Sequence, residues 1–237
     1  MEPWEIKIDD VRKENSIKTF IIFCEDGAVE PAYFELFKKE GIHISAFGNK
    51  KQHHAQVDYA TEYLRKNDLL ETNQFSQEIL KIDEGAQVWC VFDRDKELND
   101  NKDTAFNDSI LNANLRGIKT AWSNDDFELW ILLHFEDIDY KNIDFEHRTK
   151  YYERLTQILK KLLPDEKAFQ NPNFSYYDSM KSKKKFLQYT YQLMKGNIDK
   201  AIERANFLED YHSATTKPTH LHCPCTKVHH LVKELLY

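Results

Sequence analysis

Two short apolar segments, each ending in a carboxylate, most constrain the fold of this 237-residue chain. Residues 18–24, KTFIIFC, run into Glu25, and residues 87–93, QVWCVFD, end in Asp93, with Asp95 close behind. Apolar runs of this length are typical of strands buried on both faces, as in parallel sheets. Helical patterns lie between them, so the sequence predicts an α/β fold with a parallel sheet.

Similar patterns predict the rest of the sheet and its flanking helices. The further predicted strands are IHISAF (42–47) and IKTAWS (118–123), which gives a sheet of about four strands. The predicted helices span 31–40, 55–66, 102–115 and 123–135. Ser123 or Asn124 would cap the last of these, with Asp125 and Asp126 in its first turn. The polar stretch 67–86 is predicted to be a loop or a short helix.

From about residue 140 onward the pattern is mainly helical and the charge reverses. Residues 1–140 hold 16 Lys+Arg against 29 Asp+Glu, whereas residues 141–237 hold 17 against 11. We expect an acidic α/β domain over 1–140, with a helical basic region over 141–237 packed on it. The acidic domain is suited to binding a metal ion, and the basic region is suited to binding a polyanion. Differences between solvated helix faces would give the same asymmetry. The helices predicted here span 148–163, 180–195, 197–210 and 226–236.

The sequence predicts a cytoplasmic protein. Its acidic start, MEPWEIKIDD, has no apolar core of a signal peptide, and no apolar run approaches the roughly 18 residues of a membrane span. Four cysteines in a chain of this length do not suggest a disulfide scaffold. Cys24 and Cys90 lie in the apolar runs and are expected to be core thiols.

The carboxylates after the two apolar strands form a candidate metal site. Because sites in parallel α/β sheets form at the carboxyl ends of the strands, Glu25 is expected to face Asp93 and Asp95. Asp93 and Asp95 are two residues apart, so in an extended segment they point the same way. Mg²⁺ or Mn²⁺ prefers such oxygen ligands, and Asp26 is a further candidate ligand. Acidic residues after strands are also common in solvated turns.

Glu128 and His134 are secondary candidates in an apolar helix. A carboxylate there needs a partner, which would be the metal site or Arg94, although the first turn of a helix also favours an acid. His134 is expected to be a packed, hydrogen-bonded histidine.

Four lysines form a candidate nucleic-acid surface. They follow Tyr176 and Tyr177, and phosphate contacts beside aromatic side chains suit a nucleic acid. A solvated helix face is the alternative. The four are Lys181, Lys183, Lys184 and Lys185.

The C-terminal tail is rich in zinc-ligand residue types but lacks a usual zinc spacing. Its Cys-Pro-Cys has a single intervening residue, and no second cysteine pair is present. We therefore predict a structural C-terminal helix near Thr226, and zinc binding stays open. The residues concerned are His220, His222, Cys223, Cys225, His229 and His230.

Four ordered motifs resemble those of RloB-like proteins. IIFCEDGAVEPAYF (21–34) is similar to the family's "CEG…TEPNYF", and VFDRD (91–95) matches its second motif. SNDDFELWILLHF (123–135) and HCPCTKVHHLVKEL (222–235) resemble "SNPCFELWLLLHF" and "NPSTTVHKLVEEL". The chain departs from the family where Asp26 replaces a glycine and where Cys223 replaces an asparagine.

This resemblance implies a Toprim-like, Mg²⁺-dependent nuclease of prokaryotic anti-phage defence. Glu25 would be the general acid/base, and Asp93 and Asp95 would hold the ion. The resemblance also implies a nucleic-acid substrate, either RNA (tRNA included) or DNA, with an SMC- or ABC-like ATPase as partner; a homodimer is a further expectation. Two alternatives stay open: a non-catalytic adaptor of the ATPase, and a receiver-like phosphoacceptor using Glu25, Asp26, Asp93 and Ser123.

Overall fold

The computed structural model describes residues 17–95 and 102–237. The strands are β1 (Lys18–Cys24), β2 (Ile42–Gly48), β3 (Leu70–Thr72), β4 (Glu78–Leu80), β5 (Ala86–Asp93), β6 (Lys119–Asn124) and β7 (Cys225–Thr226). The helices of the first half are α1 (Val29–Glu35), α2 (His53–Lys66), α3 (Lys102–Leu115) and α4 (Glu128–Leu133).

The second half is mainly helical. Its helices are α5 (Arg148–Leu162), α6 (Lys167–Gln170), α7 (Tyr176–Met180), α8 (Lys183–Lys185), α9 (Tyr191–Met194), α10 (Ile198–Ser213) and α11 (Val228–Leu236). A π-helical segment, Phe186–Thr190, joins α8 to α9, and short 3₁₀ helices lie at Ile143–Glu146 and Thr219–Leu221.

The main sheet has five strands in the order β2-β1-β5-β6-β7. The first four are parallel, and β7 pairs antiparallel with β6. The predicted fold class is therefore confirmed: a mostly parallel sheet flanked by helices, followed by a helical C-terminal part. The short strand β7 was not predicted, and it brings the C-terminal segment into the sheet.

Helices cover both faces of the sheet because the strand side chains alternate. Trp89 and Val91 of β5 pack into a core that also includes α1, α4 and the C-terminal helices. Cys90 and Phe92, which point to the opposite face, pack against α2 and α3. The apolar runs in the sequence reflect this burial on both faces.

Two predicted local structures are wrong. Within 67–86, β3 and β4 form an antiparallel hairpin, because Leu70 and Leu80 pack on the second core and the Asn73 carboxamide accepts from Phe75 N and Gln77 N. The predicted helix 123–135 begins instead at Glu128.

The late start of α4 has a physical cause in β7. Ser123 and Asn124 are held extended because they pair with Thr226 and Cys225. The carboxylate of Asp125, which follows β6, accepts a hydrogen bond from Arg148 N over 3.0 Å.

The C-terminal helices also differ in detail from their predicted bounds. The helix predicted over 180–195 is interrupted after Met180 and restarts at Lys183, where the Ser182 hydroxyl accepts from Lys185 N. Thr226 lies in β7, although its hydroxyl accepts from Val228 N at the start of α11.

The cysteines are free and buried, as expected for Cys24 and Cys90. Across the described ranges, none of the helices combines the length and the apolar character needed to cross a bilayer.

Candidate functional site

A cleft of about 790 Å³ lies where β1 and β5 end. These neighbouring strands flank the point where the strand order reverses, which is where parallel α/β sheets bind ligands. We call it the acidic cleft, because carboxylates outnumber cations in its lining. The carboxylates are those of Glu25, Asp26, Glu30, Asp93, Asp95, Asp126 and Glu128, and the cations are Lys50, Lys51, Arg148 and Lys181.

Glu25 links the two strand ends. Its Oε2 accepts a hydrogen bond from Asp93 N over 3.1 Å, because β1 and β5 run in parallel register up to this point. Burial, together with the negative charge of Asp95, raises the pKa of the Glu25 carboxyl to about 8. With a pKa in this range, the Glu25 carboxyl can both bind and release a proton near physiological pH.

Asp93 is the most enclosed carboxylate of the predicted trio. Its Oδ1 is buried and accepts no hydrogen bond from any residue in the described ranges. Burial and the charges of Glu30 and Glu25 raise the pKa of Asp93 well above its usual value. A buried carboxylate oxygen without a donor is costly unless a cation or a proton satisfies it.

Asp95 is turned into the cleft by a left-handed backbone, with φ of 52°. Short polar side chains such as aspartate tolerate this conformation better than most residues. Its carboxylate accepts hydrogen bonds from the Gln52 carboxamide and from the Arg148 guanidinium. Asp95 is thus held by the residue that precedes α2 and by the first residue of α5.

The side chains of Asp26 and Glu30 each accept a backbone hydrogen bond at the start of α1. Asp26 Oδ2 accepts from Val29 N at 2.5 Å, and Glu30 Oε2 accepts from Asp26 N at 3.2 Å. Glu30 is buried, and this burial together with the charge of Asp26 raises its pKa well above the usual value. One oxygen of Asp26 therefore serves the helix start, while its side chain still lines the acidic cleft.

Glu128 pairs with Lys181 across the cleft. Its Oε1 lies 3.1 Å from Lys181 Nζ, and Lys181 also donates to the Tyr152 hydroxyl over 3.1 Å. The expected partner Arg94 instead pairs with Asp103. Tyr152 in turn donates to Asp126, whose pKa is raised by burial and by the charge of Glu128.

The predicted lysine cluster is divided by the fold. Lys181 lies in the lining of the acidic cleft, whereas Lys183, Lys184 and Lys185 form the exposed single turn of α8. Lys183 Nζ is 3.8 Å from Glu35. The exposed turn and Lys181 therefore lie in different electrostatic surroundings.

His134 is a core histidine, as expected. Its Nδ1 donates to Trp130 O over 2.9 Å, and its ring lies edge-on to Trp130. Burial lowers its pKa to about 4, so the imidazole is neutral at physiological pH.

The three predicted metal-site residues, Glu25, Asp93 and Asp95, all line the acidic cleft but do not form a tight cluster. Within residues 17–95 and 102–237, three side chains of metal-ligand type have ligand atoms that all lie within 4.8 Å of one another: Glu209, His229 and His230. Glu25, Asp93 and Asp95 do not meet this distance. Asp95 is instead paired with the guanidinium of Arg148.

Several cleft residues were not predicted from the sequence. Glu30 and Asp126 lie inside the quoted motifs 21–34 and 123–135, so the motifs themselves offered a signal for them. Gln52, Lys50 and Arg148 reach the cleft only through tertiary contacts. The loop after β2 runs beside the end of β1, where Lys50 N donates to Glu25 O over 2.9 Å.

The donor set fits a hard divalent cation. All the candidate ligands are carboxylate oxygens, which Mg²⁺ and Mn²⁺ prefer, and Asp93 Oδ1 and Asp126 Oδ1 are both buried without a donor among the described residues. A cation bound at either oxygen would satisfy it and reduce the mutual repulsion of the carboxylates.

The fold and this cleft define an α/β protein with an acidic cleft at the carboxyl edge of a mostly parallel sheet. The family model for RloB-like protein matches residues 20–235, so the chain belongs to the RloB-like family. No curated protein and no solved structure was found to match the chain.

Proposed function

We propose that this chain is a Mg²⁺- or Mn²⁺-dependent nuclease that hydrolyses phosphodiester bonds, with its active site in the acidic cleft. The observation that carries the proposal is the buried, donor-free Oδ1 of Asp93 in a cleft lined by several further carboxylates. Cationic side chains border these carboxylates, as a phosphodiester substrate requires. The Toprim-like motifs of the RloB-like resemblance support the same assignment of Glu25, Asp93 and Asp95.

Each cleft residue has a role in this proposal. Asp93 and Asp95 would hold the ion, which would polarise the phosphodiester and stabilise the leaving oxygen. Glu25, at the end of the adjacent strand, exchanges a proton with the attacking water. Arg148 fixes Asp95 in place, and Lys181 faces the incoming phosphate.

The receiver-like alternative is disfavoured by Ser123. That alternative needs a free hydroxyl after the fourth parallel strand, but Ser123 is buried and its Oγ lies 3.0 Å from Thr226 Oγ1, in a shared hydrogen bond. In the adaptor alternative the cleft would have no catalytic activity. The cleavage assay described below separates this alternative from the nuclease.

The biological setting is proposed from the resemblance. It comprises anti-phage defence in the cytoplasm, an SMC- or ABC-like ATPase partner, and an RNA substrate such as tRNA in preference to DNA. A homodimer belongs to the same set of proposals.

The test is a cleavage assay on the chain alone and on the chain co-expressed with its genomic neighbour. Labelled RNA and DNA are incubated with Mg²⁺ or Mn²⁺, and with a chelator. We expect metal-dependent cleavage that falls by about 100-fold or more in Asp93→Asn. Asp83→Asn is the matched control, because Asp83 is exposed and outside the cleft. Cleavage that persists unchanged in Asp93→Asn would contradict the proposal.

A further inference from the structure

A second cluster of metal-ligand side chains joins α10 to α11, away from the acidic cleft. Glu209 Oε2 lies 2.8 Å from His229 Nε2 and 2.7 Å from His230 Nε2. None of these three residues belongs to the lining of the acidic cleft. Consecutive residues on a helix point about 100° apart, so the convergence of two adjacent imidazoles on one oxygen is a specific arrangement.

His229 supplies an independent indication of a ligand. Its side chain is fully buried, and neither ring nitrogen makes a well-formed hydrogen bond to a residue of the described ranges. The contact of its Nε2 with Glu209 is close but lacks hydrogen-bond geometry, whereas His230 Nε2 donates to the same oxygen. A buried imidazole nitrogen facing a carboxylate in this way is well placed to coordinate a cation.

We propose that Glu209, His229 and His230 bind a divalent transition-metal ion of the zinc class. Imidazole nitrogens favour Zn²⁺ and Co²⁺ over Mg²⁺, so this site differs in chemistry from the acidic cleft. Ligand atoms of a tetrahedral zinc site lie about 3.4 Å apart, given metal–ligand distances of about 2.0–2.2 Å. The three ligand atoms therefore need to separate by only a fraction of an ångström.

The site has room for an exogenous fourth ligand. The side chain of His230 is 42% exposed, so water or an anion can reach the ion. Three protein ligands with one open position is a common zinc arrangement. The ion would clamp α11 to α10, and α11 follows β7, which pairs with Ser123 and Asn124 at the end of β6.

Lys227 sets the affinity of this site. Its ammonium contacts Glu209 Oε1, the oxygen that the two histidines do not share. It therefore orients the carboxylate, but its positive charge opposes a bound cation. Removing this charge should tighten metal binding, whereas in a purely structural network the same change would only loosen the helix contact.

The test is a Co²⁺ titration of the full-length chain, followed by visible absorption and calorimetry. The chain carries Asp93→Asn and Asp95→Asn, so that the acidic cleft contributes little. We expect one equivalent of Co²⁺ to bind and to be displaced by Zn²⁺ but not by millimolar Mg²⁺. His230→Gln should weaken binding at least tenfold, Lys227→Met should tighten it severalfold, and His43→Gln, an exposed histidine elsewhere, should leave it unchanged.

The opposite results overturn the proposal. Absent Co²⁺ binding, or binding that is equal in the parent and His230→Gln chains, would make the cluster a hydrogen-bonded network between helices. Thermal unfolding of each variant without metal verifies that it is folded before the titration.

Discussion

The guanidinium of Arg148 donates to the carboxylate of Asp95, and this contact ties the first turn of α5 to the turn that follows β5. The same guanidinium donates to Asp125 over 3.1 Å. Asp125 is fully buried, so Arg148 neutralises a carboxylate that water does not reach. One side chain therefore couples the C-terminal region both to the acidic cleft and to the end of β6.

Arg148→Met should destabilise the protein by about 3 kcal/mol, because Asp125 would lose the cation that neutralises it. Denaturant unfolding measures the loss. Combining Arg148→Met with Asp125→Asn should cost less than the sum of the single changes. Arg154→Met is the matched control on the same helix: its partner Glu136 is partly exposed, so the loss should stay below about 1 kcal/mol. Additive costs for the first pair would contradict this interpretation.

Gly48 allows the end of β2 to approach the backbone of Asp26 and Gly27, which follow β1. A Cβ at this position would lie 2.5 Å from Asp26 O and 2.6 Å from Gly27 Cα, both backbone atoms that cannot rotate away. Gly48→Ala should therefore cost about 1–3 kcal/mol and displace the turn that carries Glu25 and Asp26.

Gly196→Ala is the matched control, since a Cβ there meets no atom within 4 Å. It should be neutral or slightly stabilising. Urea unfolding of the two variants compares them, and equal stability would show that the close approach at Gly48 is unimportant.

His134 should make the protein sensitive to mild acid. Its pKa in the fold is about 4, against 6.5 ordinarily, so the unfolded chain binds the extra proton between these values. The stability contribution is present above pH 6.5 and is lost as the pH falls towards 4, by about 3 kcal/mol in total.

The measurement is the stability of wild type minus that of His134→Gln from pH 4 to 7. The difference should shrink as the pH falls, because the carboxylates titrate alike in both proteins. A difference that stays constant over this range would mean that His134 keeps an ordinary pKa.

The sequence predicted the four parallel strands because burial on both faces leaves unbroken apolar runs. It placed Glu25, Asp93 and Asp95 at strand ends for the same reason. It could not predict β7, because two residues carry no periodic signal and their pairing with Ser123 and Asn124 spans about a hundred residues of chain.

Long-range ion pairs also explain what was missed in the cleft. Arg148 lies in α5, where the hydrophobic pattern of the sequence indicates only which face of the helix is buried. The contact of Arg148 with Asp95 depends on how α5 packs against the rest of the fold. The lysine cluster looked continuous in sequence, but a break at Ser182 divides it. The contact of Glu209 with His229 and His230 could not be predicted, because it joins two different helices, α10 and α11.

The exposed lysine turn of α8 should contribute to nucleic-acid binding. Replacing Lys183, Lys184 and Lys185 by Ala should weaken binding and lower the salt dependence of the affinity, because fewer phosphate contacts release fewer counterions. The measurement is the affinity for labelled RNA and DNA at several salt concentrations.

A matched triple change removes the same charge from exposed lysines elsewhere, at Lys81, Lys161 and Lys167. It should leave the affinity and the salt slope nearly unchanged. If both triple variants behave alike, the α8 lysines form an ordinary solvated surface.

The cation in the acidic cleft can be located directly by anomalous scattering from crystals grown with Mn²⁺. We predict a peak within coordination distance of Asp93 and Asp95, beside Glu25, with Asp93 Oδ1 among the ligands. The peak should vanish in Asp93→Asn and persist in Asp83→Asn. A wild-type crystal with no peak in the cleft, or with Mn²⁺ bound only at Glu209, His229 and His230, would contradict the assignment of the acidic cleft as a metal-dependent nuclease site.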